Sequence, residues 1–358
     1  MVSEGVPAID GGVPIPVEDF AYDGEGNRIS SHLSSLYLSD DHNRLTEDSD
    51  YTYSYDDRGN RVSRTAKVGG VVETYGYDSQ NRLVSYDSGS GTIAAYAYDA
   101  LERRIAKTVG GVTTAYVYDA SANMGLATDD ILLEFDTSGP AILTRRWLHS
   151  DAVDEPVAFE TYVNSSGAGS GVAREVYADR QGSVIFVVDP ASASVDAAYE
   201  YDSFGALTQV AGALQQPYGY TGREFDVESG LYYYRARTYD PATGMFLQSD
   251  PIGFEGGSLG LYTYVSNDPF GWGDPSGLSP DSMVLSMANR STAITATSLV
   301  FVGLIYALED ILNSLGQIGN LVGSTSYDPN SLPTTTPPPP GNCSPEMHKK
   351  WQDRIRAC

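Results

Sequence analysis

Residues 53–62, YSYDDRGNRV, are the stretch of sequence that decides the fold. Tyrosines alternate with small or polar residues before the aspartate, and this period of two is typical of a half-buried β-strand. The segment DDRGN then supplies turn chemistry, because Asp accepts hydrogen bonds from nearby backbone amides and Gly and Asn tolerate positive φ. Arg61 and Val62 begin a second extended run. The stretch therefore predicts a β-hairpin.

The same unit repeats along the first third of the chain. Residues 23–29 match residues 56–62 position for position, and residues 78–84 match them with one residue fewer in the turn. Four of the repeated Tyr-Asp pairs start at positions 55, 77, 98 and 118, a period of about 20 residues, which falls in the range of repeat arrays. We therefore expect stacked hairpins in one continuous sheet, with Tyr77 and Tyr98 at equivalent strand positions. The pairs are Tyr22-Asp23, Tyr55-Asp56, Tyr77-Asp78, Tyr98-Asp99 and Tyr118-Asp119.

The composition limits the class of protein. The 358 residues include 22 basic and 47 acidic residues, a net charge of −25. Because such a surface repels phosphate backbones, nucleic-acid binding by the body of the chain is not expected. The 26 Tyr, against 10 Phe and 3 Trp, suit strands with one buried face and hydroxyls near polar groups. Residues 1–20 lack a basic segment followed by an apolar run, so no signal peptide is predicted.

The repeat pattern resembles the YD repeats of Rhs proteins, teneurins and the C components of Tc toxins. In that family the strands wind into a large hollow β-shell. The resemblance therefore implies a mainly β fold, in which a hairpin array forms part of a spiral shell, followed by a short helical C-terminal tail. Later segments resemble the Rhs repeat-associated core, and the resemblance covers roughly residues 20–278. The segments are 147–157, 177–184 and 199–205, then YTGREFD at 220–226, SGLYYYRARTYDP at 229–241, GMFLQSDPIG at 244–253, NDP at 267–269 and DPSGL at 274–278.

Three positions depart from the family pattern. Met245 stands where the family usually has Arg, so no cation is present at that position to act near the carboxylates. Gly260 replaces an Asn, and Asp268 replaces the second Asn of Asn-Asn-Pro. Both Asp-Pro-x-Gly turns are intact. The expected organisation is a leader at 1–20, YD repeats at 21–134, the repeat-associated core at 135–278, an apolar helical segment with a Pro-rich linker at 279–341, and a truncated variable tip at 342–358.

The segment after Leu278 changes in composition. Residues 293–308 are apolar, but the run is shorter than the roughly 20 residues needed to cross a bilayer. Apolar positions continue at helical spacing to Val322. Two interpretations of 293–322 stay open: a buried or partner-bound helix, and a helix that makes weak membrane contact. Residues 334–340 form a Pro-rich, extended linker.

The last residues resemble the opening of the toxin tip of polymorphic Rhs effectors, cut short. Ser344 as N-cap and Pro345 as first helical residue predict a helix over 345–357, which carries a local basic patch. A disulfide between Cys343 and Cys358 is one interpretation of these two cysteines. A zinc site with His348 would have only three candidate ligands, so no metal is predicted.

The candidate catalytic residues are Asp250 and Asp274, which occupy matched turns. Two close carboxylates cannot both ionise easily, so one charged group can activate water while the other donates a proton. Members of this family cut themselves after the Leu of the second turn. The resemblance therefore implies a cut between Leu278 and Ser279 in this chain. The alternative is that both Asp residues only shape turns. His149 stands alone, with no Cys or Ser partner, and is interpreted as structural.

The resemblance implies an Rhs-type shell that encapsulates and delivers a C-terminal toxin tip and cuts itself, without a cofactor. Its expected partners are its own tail as cargo, a secretion-system component and an immunity protein. Its expected location is outside a bacterium or on its surface, reached without an N-terminal signal peptide. Two alternatives stay open: a YD-repeat surface module that binds another cell without catalysis, and an orphan fragment of a larger Rhs protein.

Overall fold

The fold within the described residues is mainly β, as predicted. The helices expected within 293–322 and 345–357 and the Pro-rich linker lie outside the residues that the structure describes, as does nearly all of the leader. No helix in the described part is long and apolar enough to cross a membrane. The computed structural model describes residues 18–119, 129–150, 152–163, 171–258 and 260–282.

One large antiparallel sheet, called the main sheet here, contains sixteen strands within these ranges, each paired with the next in sequence. The predicted array of stacked hairpins is confirmed, because all of its pairings are between sequence neighbours. A separate hairpin of β1 (Phe20–Tyr22) and β2 (Arg28–Ser31) precedes it. The strands of the main sheet are β3 (Tyr37–Ser39), β4 (Leu45–Asp48), β5 (Tyr51–Tyr55), β6 (Arg61–Ala66), β7 (Val72–Tyr77), β8 (Leu83–Asp87), β9 (Ile93–Tyr98), β10 (Arg104–Val109), β11 (Val112–Tyr118), β12 (Ile131–Asp136), β13 (Ile142–His149), β14 (Pro156–Thr161), β15 (Val172–Ala178), β16 (Val184–Asp189), β17 (Ser194–Tyr201) and β18 (Leu207–Gly212).

The repeated Asp residues form the turns that the sequence predicts. The Asp56 carboxylate accepts hydrogen bonds from the backbone amides of Arg58, at 3.0 Å, and Asn60, at 2.8 Å. Gly59 has a φ of +85° in this turn, a conformation that glycine adopts without steric cost. The turn at Asp78 repeats the pattern with amides two and four residues on, at 2.9 and 3.0 Å. A local hydrogen-bond pattern therefore sets each hairpin.

The repeated Tyr residues link one strand to the next. Tyr77 ends β7, and its hydroxyl donates to the carbonyl of Arg61, the first residue of β6, at 2.8 Å. Tyr98 ends β9 and donates in the same way to Leu83, the first residue of β8, at 2.7 Å. The equivalence of Tyr77 and Tyr98 is confirmed, and each ring is partly buried while its hydroxyl keeps a partner.

A smaller antiparallel sheet, called the core sheet here, follows the main sheet in sequence. Its rings form an aromatic cluster in which Tyr232, Tyr234 and Tyr239 are fully buried. The core sheet comprises β19 (Glu224–Asp226), β20 (Leu231–Tyr234), β21 (Arg237–Asp240) and β22 (Met245–Phe246); 3-10 turns lie at Tyr220–Gly222, Gly253–Gly256 and Val265–Asn267, and a short pair joins β23 (Trp272–Gly273) to β24 (Asp281–Ser282).

Buried ion pairs attach the core sheet to the repeats. Arg61 Nη1 of β6 lies 2.6 Å from Asp240 Oδ2. Arg104 of β10 lies 2.6 Å from Asp226 and 2.7 Å from Glu224. All of these side chains are less than a tenth exposed, where an unpaired charge would be strongly destabilising. The pairs therefore fix the core sheet on the main sheet at two separate strands.

Candidate active site

Arg237 stands at the centre of the candidate site. It begins β21, opposite Tyr234 of β20, and its Cζ lies 3.7 Å from the centre of the Phe246 ring. Its Nη2 atom lies 3.2 Å from Asp250 Oδ2 and 3.3 Å from Asp274 Oδ2. The structure therefore brings together the two aspartates that the sequence predicts as catalytic, because both contact one guanidinium nitrogen.

Asp274 faces the peptide bond expected to be cut. Its Oδ1 atom accepts hydrogen bonds from the backbone amides of Leu278, at 3.0 Å, and Ser279, at 3.2 Å. The hydroxyl of Ser276 donates to the same oxygen at 3.1 Å. The turn folds back on itself, so this carboxylate lies beside the nitrogen that would become a new amino terminus.

Asp250 lies near the carbonyl of the same peptide bond. Its Oδ1 atom accepts the backbone amide of Ile252 at 3.0 Å, which leaves Oδ2 toward Arg237. A Cβ placed on Gly256 would lie 2.8 Å from Asp250 Oδ2 and 2.9 Å from the carbonyl oxygen of Leu278. The space beside Gly256 is thus bordered by both atoms. Asp250 and the carbonyl oxygen of Leu278 therefore border one small space, while Asp274 contacts the nitrogen of the same peptide bond.

Two opposing influences act on the protonation of the site. Burial raises the pKa of Asp250 and the pKa of Asp274, while the guanidinium of Arg237 pulls both in the opposite direction. Burial also lowers the pKa of Arg237, and the two carboxylates oppose that change. The effect of burial is the larger one for both aspartates, so each carboxyl stays protonated to a higher pH than an exposed aspartate does. Paired-aspartate chemistry uses one carboxyl in this protonated form.

The sequence does not predict the role of Arg237, because the family pattern places an Arg at position 245 and no other cation was expected near the aspartates. Met245 of β22 pairs with Asp240 of β21. Its side chain packs against the cluster that contains Tyr37, Leu45 and Tyr53. The cation beside the aspartates comes from the strand run YYYRARTYD. An Arg inside a strand of buried tyrosines needs a partner, and this was the signal available in the sequence.

His149 is not part of this site. Its Nε2 atom lies 3.0 Å from the carbonyl oxygen of Ile131, and its ring packs beside Trp147 and Tyr218. Burial lowers the pKa of His149 to about 4, so the ring is neutral at neutral pH. Within the described ranges, no group of three His, Cys, Asp or Glu residues could hold a metal ion.

Comparison with known proteins relates both halves of the chain to one family. The model of the teneurin YD-shell family matches residues 6–129. The tRNA nuclease WapA of Bacillus subtilis strain 168 is 31% identical over 279 residues, which are 73% of this chain and 11% of that protein. Double-stranded DNA deaminase toxin A of Burkholderia cenocepacia strain H111 is 27% identical over 332 residues, which are 87% of this chain and 23% of the toxin. The chain thus spans under a quarter of either relative.

Solved structures similar to this chain include the Tc holotoxin pore of Photorhabdus luminescens, with a TM-score of 0.42 and 16% identity, over 74% of this chain and 17% of that one. The complex of TcdB2 with TccC3 has a TM-score of 0.44 and 16% identity, over 74% of this chain and 16% of that one. The sequence relatives, the family model and the repeated hairpins agree. The chain belongs to the Rhs/YD-repeat proteins.

Proposed function

We propose that this chain belongs to an Rhs-type shell protein that encloses and delivers a toxin segment, and that it cuts itself between Leu278 and Ser279. Relatives whose names include a tRNA nuclease and a DNA deaminase toxin support the delivery role. The cargo would be residues 279–358. A secretion-system component and an immunity protein would be further partners, and the location would be outside the bacterium or on its surface.

One observation carries the self-cleavage. A single nitrogen of Arg237 contacts both Asp250 and Asp274, and Asp274 accepts the amide of Ser279 at 3.2 Å. An ordinary Asx turn uses one carboxylate and needs no second one. The second carboxylate, Asp250, shapes a turn of its own through the amide of Ile252, and its other oxygen, which turn formation does not use, contacts Arg237. The arrangement therefore suits catalysis better than turn formation alone.

The chemistry follows from these positions. The ionised carboxylate of Asp274 takes a proton from a water molecule, whose oxygen attacks the carbonyl carbon of Leu278, while neutral Asp250 gives its proton to the carbonyl oxygen. Asp274 then passes the proton to the nitrogen of Ser279, the C–N bond breaks, and the new carboxyl group returns a proton to Asp250. The products are a carboxyl terminus at Leu278 and an amino terminus at Ser279, with one water consumed. Arg237 offsets the negative charge of the pair throughout the reaction.

The substrate is part of the same chain. Asp274 and the bond after Leu278 belong to one turn, and that turn is already hydrogen-bonded in place. Holding the reacting groups together can supply several kcal/mol of the barrier reduction. No separate substrate-binding pocket is needed for this reaction.

The test replaces each aspartate with asparagine in the full chain. Asp250→Asn and Asp274→Asn keep the size and turn hydrogen bonding of the side chain, but an amide cannot exchange the proton. Each should leave one uncut species in intact mass spectrometry. Asp189→Asn is the matched control, because Asp189 accepts the backbone amide of Ala191, two residues on, at 2.8 Å, just as Asp250 accepts that of Ile252. Equal cutting in all three variants would reject the paired-aspartate mechanism.

A further inference from the structure

The hairpin turn between β20 and β21 is hydrogen-bonded to residues 275–277, which come just before the bond between Leu278 and Ser279. Three consecutive residues of the hairpin donate to three consecutive carbonyls, so the cleavage turn is held along its length. The donors and acceptors are the Arg235 side chain with the Pro275 carbonyl, the Ala236 amide with the Ser276 carbonyl at 3.3 Å, and Arg237 Nε with the Gly277 carbonyl.

The two turns lie in close contact. A Cβ on Gly277 would come within 2.0 Å of the Tyr234 carbonyl oxygen, which only a residue without a side chain allows. Arg235 has a φ of +54°, in the left-handed region that L residues adopt rarely and mostly in tight turns. This conformation places the Arg235 side chain toward the cleavage turn, while Arg237 contacts the aspartates.

Asp154 anchors Arg235. Asp154 Oδ1 lies 2.8 Å from Arg235 Nη2, and Asp154 Oδ2 lies 3.2 Å from Arg235 Nη1. Arg223 Nη1 contacts Asp154 Oδ1 as well, at 2.6 Å. The Asp154 side chain is 8% exposed, and the residue lies between β13 and β14 of the main sheet. A chain of charge-assisted contacts thus runs from the main sheet to the Pro275 carbonyl.

We propose that Arg235, held by Asp154, is a positioning residue for self-cleavage. It sets where the cleavage turn lies relative to Asp250 and Asp274, so the cut follows the docking of the β13–β14 connection on the core sheet. This inference rests on the proposed function. Neither residue contacts the bond between Leu278 and Ser279, so both act through the turn.

The first test measures the rate of cutting. Samples taken during cell-free synthesis of the full chain are analysed by intact mass spectrometry. Arg235→Gln should slow cutting at least about tenfold, the effect of losing roughly 1.4 kcal/mol of transition-state stabilisation. Arg235→Lys keeps a charged donor and should recover part of the rate. Arg64→Gln is the control, because Arg64 is a half-buried guanidinium paired with Glu73 at 2.8 Å and should leave the rate unchanged.

The second test follows the turn itself by hydrogen exchange in the uncut Asp250→Asn background. Adding Asp154→Asn or Arg235→Gln should speed exchange of the amides in 276–279 and leave those of β12 protected. A general loss of structure would raise exchange in both places, so the local pattern identifies positioning. Arg235→Lys should show an intermediate rate in 276–279.

The outcomes separate the two proposals. If the wild type is cut and Arg235→Gln is cut at the same rate, the positioning role is wrong and the proposed function stands. If the wild type is not cut, the proposed function fails, and exchange alone decides the role of Arg235. Faster amide exchange in 276–279 in Arg235→Gln would then show that Arg235 keeps the turn in place. Unchanged protection of these amides would show that it does not.

Discussion

The carboxylate of Asp274 accepts a 3.2 Å hydrogen bond from the backbone amide of Ser279. This contact places a proton-accepting oxygen, which can later pass on a proton taken from water, beside the nitrogen that leaves if the chain is cut after Leu278. Hydrolysis of an amide requires protonation of that nitrogen, so the contact has a direct chemical use. Proximity to Arg237 and Asp250 supplies the remaining groups.

Replacing Arg237 should slow cleavage more than replacing any other residue outside the aspartate pair. Arg237→Gln removes the positive charge that both carboxylates contact, and losing one such preorganised group typically costs about a hundredfold or more in rate. Arg237→Lys keeps the charge but not the donor to Gly277, so it should be intermediate. The rate is measured by intact mass spectrometry, with Arg64→Gln as control. Wild-type cutting in Arg237→Gln would contradict the site.

Cleavage should depend on pH through the proton shared by the pair. Burial raises the pKa of both Asp250 and Asp274, so the pair keeps its proton to higher pH than a free aspartate with a pKa of about 3.9. The rate should fall as pH rises and this proton is lost, and should also fall in strong acid, where both groups are protonated. A time course of cutting at a series of pH values measures this. A rate that increases steadily into alkaline pH would point to another mechanism.

Gly256 should be needed for the space beside the scissile carbonyl. A methyl group there would lie 2.8 Å from Asp250 Oδ2 and 2.9 Å from the Leu278 carbonyl oxygen, distances that force the atoms to move. Gly256→Ala should therefore slow cleavage at least about tenfold, a change of roughly 1.4 kcal/mol in the barrier. Gly139→Ala, with nothing within 4 Å of the added carbon, is the control. Equal rates in the two variants would show that this space is not used.

The repeat hairpins could be predicted from sequence because their interactions are local. Asp56 bonds to amides two and four residues further on, and the residues that do so stand together in the sequence. The grouping of Asp250 with Asp274 followed from the family resemblance. The role of Arg237 could not be predicted in the same way. Its partners Asp250 and Asp274 lie in different loops and contact it only after the core sheet has folded.

The buried ion pair of Arg61 and Asp240 should contribute strongly to the attachment of the core sheet. Both side chains are almost completely buried, so removing one partner leaves an unpaired charge and should cost about 3–5 kcal/mol of unfolding free energy. Arg61→Gln and Asp240→Asn, alone and together, are compared by urea unfolding in the uncut Asp250→Asn background. The double variant should lose less than the two single losses added together.

A surface pair gives the control for that measurement. Lys67 contacts Glu47 at 2.8 Å with both side chains about a third exposed, so Lys67→Gln should cost less than about 1 kcal/mol. A similar loss for Arg61→Gln and Lys67→Gln would mean that the buried pair does not hold the core sheet in place.

The buried ion pairs between the repeats and the core sheet could not be predicted from the sequence either. Arg61 and Arg104 begin strands β6 and β10 of the main sheet, and the repeat pattern predicts only the hairpins in which they stand. Their partners Asp240 and Asp226 are far along the chain, in the core sheet. A period of about 20 residues identifies repeats, but it carries no information about which repeat contacts the core.

Intact mass spectrometry of the purified wild-type chain, with sequencing of any new amino terminus, is the decisive measurement of self-cleavage. We expect two fragments, residues 1–278 and 279–358, whose masses add to that of the whole chain plus one water, with Ser279 as the new first residue. We also expect one uncut species in Asp274→Asn. A single full-length species in the wild type, or a new terminus at another residue, would mean that the two aspartates do not cut the bond after Leu278.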